Sequence, residues 1–163
     1  MYNEVTRYYE MLANSAIINH NTKRNYLKHN SICKFCGAKA TTIDHIIPCQ
    51  VFEMTMEFEE DFRSAIRDKS NWQPACKACN KRKRAAFTIK DIPTYLYNKY
   101  KDCIDKYIAL RKQVLEIQNY KCAGCGKEVT EDTTVLRYKR NYNGERDNIH
   151  GMIVTCIEHE TRN

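Results

Sequence analysis

Two Cys-x-x-Cys pairs, Cys33 with Cys36 and Cys76 with Cys79, constrain the fold of this chain more than any other feature. Such pairs supply the four thiolates of a tetrahedral structural zinc site. A chain of 163 residues cannot bury a large core in each of two small domains, so bound metal would make up the deficit. We therefore predict a zinc-held unit between the two pairs.

The cysteine content also bears on where the protein works. Nine cysteines, with no N-terminal secretion signal and no apolar run long enough to cross a membrane, favour a reducing compartment. In such a compartment, cysteine pairs bind metal more often than they form disulfides. We expect a soluble, cytoplasmic protein with no membrane partner.

The zinc-held stretch contains an Asp-His pair of a different chemistry. Asp44 is a hard oxygen ligand suited to a divalent cation such as Mg²⁺, and His45 can take a proton near neutral pH. The β-branched segment 40–47, which ends at Pro48, predicts the strand that carries the pair. A capped turn before Pro48 is the alternative interpretation of these two residues.

Two asparagines complete the pattern. Asn71 opens a return strand, and the good helix formers that follow Cys76 predict a helix. Asn80 directly follows Cys79 on that helix, so the two side chains point in different directions, one toward zinc and the other toward a possible active site.

These residues together, across 33–84, resemble the HNH, or ββα-metal, endonuclease family. The resemblance implies that His45 is the general base, that Asp44 and Asn80 hold Mg²⁺ or Mn²⁺, and that Asn71 positions the histidine. It also implies products with 5′-phosphate and 3′-hydroxyl ends. Histidine is commoner in the family at the position of Asn80, but an amide oxygen can still bind Mg²⁺.

Positive charge is concentrated around Cys79. Lys and Arg exceed Asp and Glu by 27 to 20, a net charge of +7 that favours a polyanionic partner. We expect double-stranded DNA as that partner, with phosphate contacts from five cations: Lys77, Lys81, Arg82, Lys83 and Arg84.

Apolar spacing predicts three helices outside this pattern. The first covers residues 1 to about 19 and leads into a basic segment, 20–29, that either follows phosphates or is a solvated connection. A second covers 53–68, and the third is a long helix over 94–118. The acidic cluster 53–61 could supply a metal ligand, although the solvated face of a helix explains it as well. The apolar face of the second helix would comprise Phe58, Phe62, Ala65 and Ile66.

The second half repeats the first in outline. Its predicted zinc ligands are Cys122, Cys125, Cys156 and His159, with His150 as an alternative fourth ligand. Leu136-Arg137 stands where the first half has its Asp-His pair, so this copy would be catalytically degenerate. A basic and aromatic hairpin would contact DNA through Arg137, Lys139 and Arg140, and a polar hairpin without a ligand is the alternative.

The sequence thus predicts an α+β fold of two tandem ββα-metal zinc modules joined by a long helix. Residues 1–92 would form the catalytic unit and 93–163 the helix with the degenerate repeat. We expect a metal-dependent, site-specific, restriction-type endonuclease of bacterial or phage origin, with two zinc ions per chain. It would act as a homodimer, because one active site cuts one strand. Alternatives are an HNH homing or phage nicking enzyme, and a non-catalytic zinc module that binds DNA or RNA.

Overall fold

The computed structural model describes residues 18–83, 86–139, 142 and 148–160. In chain order, its helices and strands are α1 (His20–His29), β1 (Thr42–His45), α2 (Cys49–Thr55), α3 (Glu59–Arg67), β2 (Trp72–Ala75), α4 (Lys77–Lys83), α5 (Thr94–Lys99), α6 (Lys101–Ile117), β3 (Thr134–Tyr138), β4 (Met152–Cys156) and α7 (Ile157–Glu160). Most of the helix predicted before residue 19 lies outside the described residues. The basic segment after it is α1, a helix rather than an extended connection.

The first sheet has the strand–strand–helix order predicted for the stretch between the cysteine pairs. β1 and β2 are antiparallel, with Thr42 opposite Ala75 and His45 opposite Trp72. The helix α4 begins directly after Cys76. Gly37, in the first cysteine turn, has a φ of +72°, the left-handed conformation that glycine adopts without strain.

The second sheet is built in the same way. In each half, a backbone hydrogen bond joins the cysteine turn to the second strand of the sheet. The N–H of Lys34 donates to the carbonyl of Pro74, and the N–H of Ala123 donates to the carbonyl of Val154. β3 and β4 are antiparallel, and Leu136 lies opposite Val154.

These hydrogen bonds align the residues of the two sheets differently from the alignment of the two halves that the sequence predicts. Ile43 lies opposite Pro74 in the first sheet, so its counterpart is Leu136. The positions of Asp44 and His45 are therefore taken by Arg137 and Tyr138, not by Leu136 and Arg137. The sequence comparison matched Thr41-Thr42 with the pair at 133–134, but in the two strand registers Thr134 corresponds to Thr41, so the expected alignment is offset by one residue.

The long helix predicted over 94–118 is two helices. α5 ends at Lys99 and α6 begins at Lys101, and Tyr100 between them has φ −118° and ψ 23°. The Tyr100 hydroxyl donates to Asp68 at 2.7 Å, and its ring packs edge-on against Phe52. These tertiary contacts hold the break, which apolar spacing alone does not reveal.

The segment between the two strands of the first sheet also differs from expectation. It contains two helices, α2 and α3, instead of one helix over 53–68. Phe62, Ala65 and Ile66 are buried as predicted, but Phe58 precedes α3 and is 67% exposed. The acidic first turn of α3 suits a helix N-terminus, where the backbone dipole favours negative charge.

One hydrophobic core joins the two halves. It includes Val51 and Phe52 of α2, Tyr107 of α6, and Leu136 and Val154 of the second sheet. The main chain of Leu136 forms two hydrogen bonds with other elements. Its carbonyl accepts from the Gln50 amide at 2.7 Å, and its N–H donates to the Tyr107 hydroxyl at 3.1 Å. The second sheet is thus packed against the helix that follows β1.

Among the described helices, none combines the length and the apolar character that crossing a membrane requires.

Candidate active site and metal centres

The four cysteines of the first two pairs converge on one point. The sulfur atoms of Cys33, Cys36, Cys76 and Cys79 all lie within 4.8 Å of one another. Cys36 Sγ and Cys76 Sγ are 3.8 Å apart. A tetrahedral zinc site with Zn–S bonds of about 2.3 Å needs an S–S separation of about 3.8 Å, so the thiols fit this ion.

The electrostatics of this cluster also suit a cation. Burial would raise the pKa of Cys33, but backbone N–H donors of Cys76, Phe35 and Cys36 outweigh it and lower the pKa to about 6. At Cys36 the backbone donor at Ala38 lowers the pKa, while the neighbouring cysteines raise it to about 11. Adjacent thiolates repel, so a bound divalent cation would be needed to deprotonate all four.

Three cysteines gather in the second half. Cys122, Cys125 and Cys156 form a group with the same sulfur spacing, and Cys125 Sγ lies 3.6 Å from Cys156 Sγ. His159 is not part of this group, although it lines a small cavity beside it. Its ring lies against Gly124, where an added Cβ would sit 2.2 Å from Nε2. The role of His159 as fourth ligand stays a prediction, and the alternative His150 is exposed on a short helical turn and also lies outside the group.

Asp44 is buried and already balanced by a cation. Its carboxylate is 4% exposed and accepts from Lys83 Nζ, at 2.9 Å to Oδ2 and 3.1 Å to Oδ1. Gln73 Nε2 donates to Oδ2 at 2.7 Å. Lys83 also donates to the carbonyl of His45 at 2.7 Å. The protein around Asp44 therefore accommodates a positive charge next to this carboxylate.

His45 is held in one tautomer by a backbone carbonyl. Its Nε2 is 2.9 Å from the carbonyl oxygen of Ile66, near the end of α3. Trp72 Nε1 donates to the same oxygen at 2.8 Å. A carbonyl can only accept, so Nε2 carries the proton and Nδ1 has the free lone pair.

The surroundings of His45 keep Nδ1 unprotonated and place a thiol against it. Burial lowers the pKa of His45 below its usual 6.5, against the opposing effects of Ile66 and Asp44. Cys49 Sγ lies 3.4 Å from Nδ1, and burial, aided by Glu53, raises the pKa of this thiol to about 12. The thiol stays protonated and is the donor in this contact. His45 is consequently a neutral base near pH 7.

Asn71 fixes the backbone that follows the Asp-His pair. It is fully buried; its Oδ1 accepts from the N–H of Ile47 at 2.7 Å, and its Nδ2 donates to the carbonyl of Ile47 at 3.0 Å. Its own carbonyl accepts from the N–H of Ile46. These bonds stabilise the turn after His45, and the positioning role expected for Asn71 stays a prediction.

Asn80 faces the same cavity as the Asp-His pair. This cavity has a volume of about 270 Å³ and is also lined by Cys49 and Glu53. Asn80 Nδ2 points to the carbonyl of Ile43 at 3.4 Å, and no group within the described ranges donates to its Oδ1. The cavity therefore offers two kinds of oxygen ligand that Mg²⁺ prefers, namely the carboxylate of Asp44 and the amide oxygen of Asn80.

The basic residues expected on DNA divide into several groups. Lys77 and Lys81 are exposed beside Asn80, which leaves their predicted role open. Lys83 is paired with Asp44, and the exposed Arg82 donates to Cys79 Sγ at 3.1 Å, so the DNA contacts expected of these two residues stay predictions. In the second half, Arg137 is half-buried and Lys139 donates to the carbonyl of His150. Arg84 and Arg140 lie outside the described residues.

Several residues of the cavity are not evident from the sequence pattern. Cys49 and Glu53 reach it from α2, one helical turn apart, and burial raises the pKa of Glu53. The four-residue spacing of Cys49 and Glu53 indicates that they share one face of a helix. Which way that face points is decided by the packing of α2 on α6. Lys83 lies three residues after Asn80 and could have been assigned to the same face of α4.

Comparison with known proteins bears on the first half. Residues 32–86 match the family of the HNH endonuclease, and this span contains both cysteine pairs, the Asp-His pair and both asparagines. Searches of the curated proteins and of the solved structures gave no match.

Proposed function

We propose that this chain is a metal-dependent DNA endonuclease of the HNH type that hydrolyses phosphodiester bonds. The observation that carries the proposal is the arrangement at the 270 Å³ cavity, which His45, a neutral imidazole with an unprotonated Nδ1, lines together with Asp44 and Asn80. The match of residues 32–86 to the HNH endonuclease family supports it.

In the proposed reaction, His45 Nδ1 takes a proton from the attacking water as the water oxygen bonds to phosphorus and the bond from phosphorus to the 3′ oxygen breaks. The departing 3′ oxygen takes a proton from solvent water, and His45 later returns its proton to solvent. The Cys49 thiol must turn away from Nδ1 for water to reach it. The Ile66 carbonyl keeps the ring in place and, near the C-terminus of α3, stabilises the imidazolium that forms. The products would carry 5′-phosphate and 3′-hydroxyl ends.

A divalent cation held by Asp44 and Asn80 would stabilise negative charge on the phosphate and on the departing oxygen. Mg²⁺ or Mn²⁺ suits these oxygen ligands. On this proposal, Lys83 maintains the buried carboxylate in the absence of the cation and gives it up when the cation binds.

The finer assignment is a site-specific, restriction-type enzyme that acts as a homodimer on double-stranded DNA. Residues 1–92 would be the catalytic unit and 93–163 a tandem, catalytically degenerate ββα-metal repeat that holds a second structural zinc. In support, the cysteine turn of each half forms the same backbone hydrogen bond to its second strand, and Arg137 and Tyr138 lie where the first sheet has the Asp-His pair.

A nicking enzyme of the homing or phage type is the second candidate. The observation that favours it is that the described part of the chain contains one Asp-His pair at a cavity with Asn80, which suffices for one strand.

The test is cleavage of supercoiled plasmid by the zinc-loaded chain with and without Mg²⁺. His45→Ala should lower the rate by about 10² to 10⁴, because a general base acts in the transition state. The matched control is His20→Ala, an exposed histidine of α1, which should cleave like the wild type. DNA ligase should reseal the ends, since it requires a 5′-phosphate and a 3′-hydroxyl. Binding without any Mg²⁺-dependent cleavage would favour the non-catalytic zinc module instead.

A further inference from the structure

A second cavity adjoins the candidate active site. It has a volume of about 590 Å³ and shares Asn80 with the first cavity. We call it the lysine cavity, because three lysines and two threonines line the rest of it: Lys23 of α1, Thr41 and Thr42 at the start of β1, and Lys77 and Lys81 of α4. No acidic residue of the described chain lines it.

The ammonium groups of this cavity are not neutralised within the described chain, in contrast to those of three other lysines. Lys83, Lys99 and Lys101 each form an ion pair with an aspartate. Within the described ranges, the ammonium groups of Lys23, Lys77 and Lys81 have neither an ion pair nor a hydrogen bond. Like charges around one cavity repel, so an anion bound there would be stabilised by all three.

The neutral groups of the cavity are suited to the same ligand. Thr41 Oγ1 accepts from the backbone N–H of Lys77 at 3.2 Å, which leaves its own hydrogen free to be donated. Ammonium and hydroxyl donors without an acidic neighbour are the groups that bind phosphate oxygens.

We propose that the lysine cavity binds the nucleic-acid phosphate next to the scissile one, so that the substrate strand crosses Asn80 between the two cavities. This proposal rests on the proposed function, because the scissile phosphate would occupy the first cavity. It adds Lys23, a residue of α1 outside the zinc-held unit, to the substrate contacts.

The first measurement is binding, which does not depend on cleavage. A fluorescently labelled 20-base-pair duplex is titrated with full-length, zinc-loaded His45→Ala protein, and the affinity is followed over a range of salt concentrations. Adding Lys23→Ala, Lys77→Ala and Lys81→Ala together should weaken binding by about tenfold or more. The dependence of log Kd on log salt should become shallower by roughly one for each phosphate that the variant no longer neutralises.

The matched control replaces three exposed lysines elsewhere, Lys90, Lys106 and Lys112, by alanine. It changes the net charge equally and should leave the affinity within about twofold of the parent if the contacts are local. Replacing the three cavity lysines by arginine keeps the charge and should retain binding. Thermal unfolding verifies that each variant is folded. Equal losses of affinity in the cavity variant and in the control would overturn the proposal.

The second measurement is cleavage by the same lysine variants with His45 intact. A flanking phosphate is bound equally in the ground state and in the transition state, so KM should rise while kcat stays near the wild-type value. If the wild type cleaves and the cavity variant has an unchanged KM, the lysine cavity is refuted and the proposed function stands. If the wild type binds DNA but never cleaves it, the proposed function fails, and the binding result still decides whether the cavity holds phosphate.

Discussion

At the scale of single residues, the candidate site depends on hydrogen bonds that assign each group one role. His45 is oriented by a carbonyl that it shares with Trp72, and Asn71 fixes the turn behind it. Asp44 is balanced by Lys83, whereas the amide oxygen of Asn80 accepts from no group in the described part of the chain. Base and metal ligands are therefore separable by substitution.

Substitution of Asp44 and Asn80, the two proposed metal ligands, should change the metal requirement. In Asp44→Ala and Asn80→Ala, the Mg²⁺ concentration for half-maximal cleavage should rise by about tenfold or more, because each removes one of two protein ligands. A Mg²⁺ titration of the cleavage rate measures this. The control is Asn98→Ala, an exposed amide on α5. An unchanged Mg²⁺ dependence in both variants would remove these residues from the metal site.

The pH dependence of cleavage should reflect the neutral base. Burial lowers the pKa of His45 below 6.5, so the imidazole stays unprotonated at neutral pH and gains its proton only under more acidic conditions. The rate at saturating Mg²⁺ should rise with pH, with an apparent pKa below 6.5, and then level off. A profile centred above 7 would contradict this assignment. In His45→Ala, the residual rate should lose this acid limb.

At the scale of elements, each sheet is coupled to a cysteine turn. The turns at Gly37 and Gly126 have the same φ of +72°, and each is bonded to the second strand of its sheet. Neither two-stranded sheet is large enough to be stable in isolation. We therefore expect metal at the turn, together with packing on the shared core, to hold each sheet.

Zinc content should follow the cysteines of the two groups. We expect a zinc-to-chain ratio near two by elemental analysis of protein purified without added metal. Cys36→Ser and Cys125→Ser should each lower the ratio to about one, because three remaining ligands bind zinc far less tightly. Cys103→Ser, outside both groups, should keep it near two. A ratio near one in the unsubstituted chain would mean that the second group is not a site, and chelation should unfold the protein as followed by circular dichroism.

The sequence predicted the first sheet and its cluster of four cysteines because ligand spacing and strand alternation are local properties. It did not predict the break at Tyr100, because Asp68 and Phe52, which hold it, are distant in the chain. The sequence left open whether the acidic cluster 53–61 supplies a metal ligand, and it did not indicate which acid reaches the cavity, because the packing of α2 on α6 brings Glu53 there. The sequence did not indicate the ion pair of Lys83 with Asp44, because the two residues lie on different elements.

At the scale of the whole molecule, the number of active sites decides how DNA is cut. The described residues contain one Asp-His pair, and Arg137 and Tyr138 of the second sheet cannot replace it. A restriction-type enzyme must cut two antiparallel strands. Two copies related by a two-fold axis would present one site to each strand and would favour a palindromic sequence.

Plasmid topology and particle mass test this arrangement together. A dimer should convert supercoiled plasmid to linear product with little accumulation of nicked circles, and light scattering on DNA should give about twice the chain mass of 19.2 kDa. Mixing wild-type protein with excess His45→Ala should shift the product toward nicked circles. A monomer that stops at the nicked circle would favour the nicking enzyme and leave the assignments of His45, Asp44 and Asn80 intact.

The hydrogen bond from the Gln50 amide to the Leu136 carbonyl limits how far this chain can be shortened. The recognisable family segment ends at residue 86, yet α2, which forms one wall of the candidate active-site cavity, is buried against α6 and the second sheet. A fragment cut at residue 92 would expose Val51 and Phe52 to water and lose the support of that wall. The HNH-like segment therefore depends on α6 and the second sheet for its structure. A fusion or transplant of the segment should keep these elements with it.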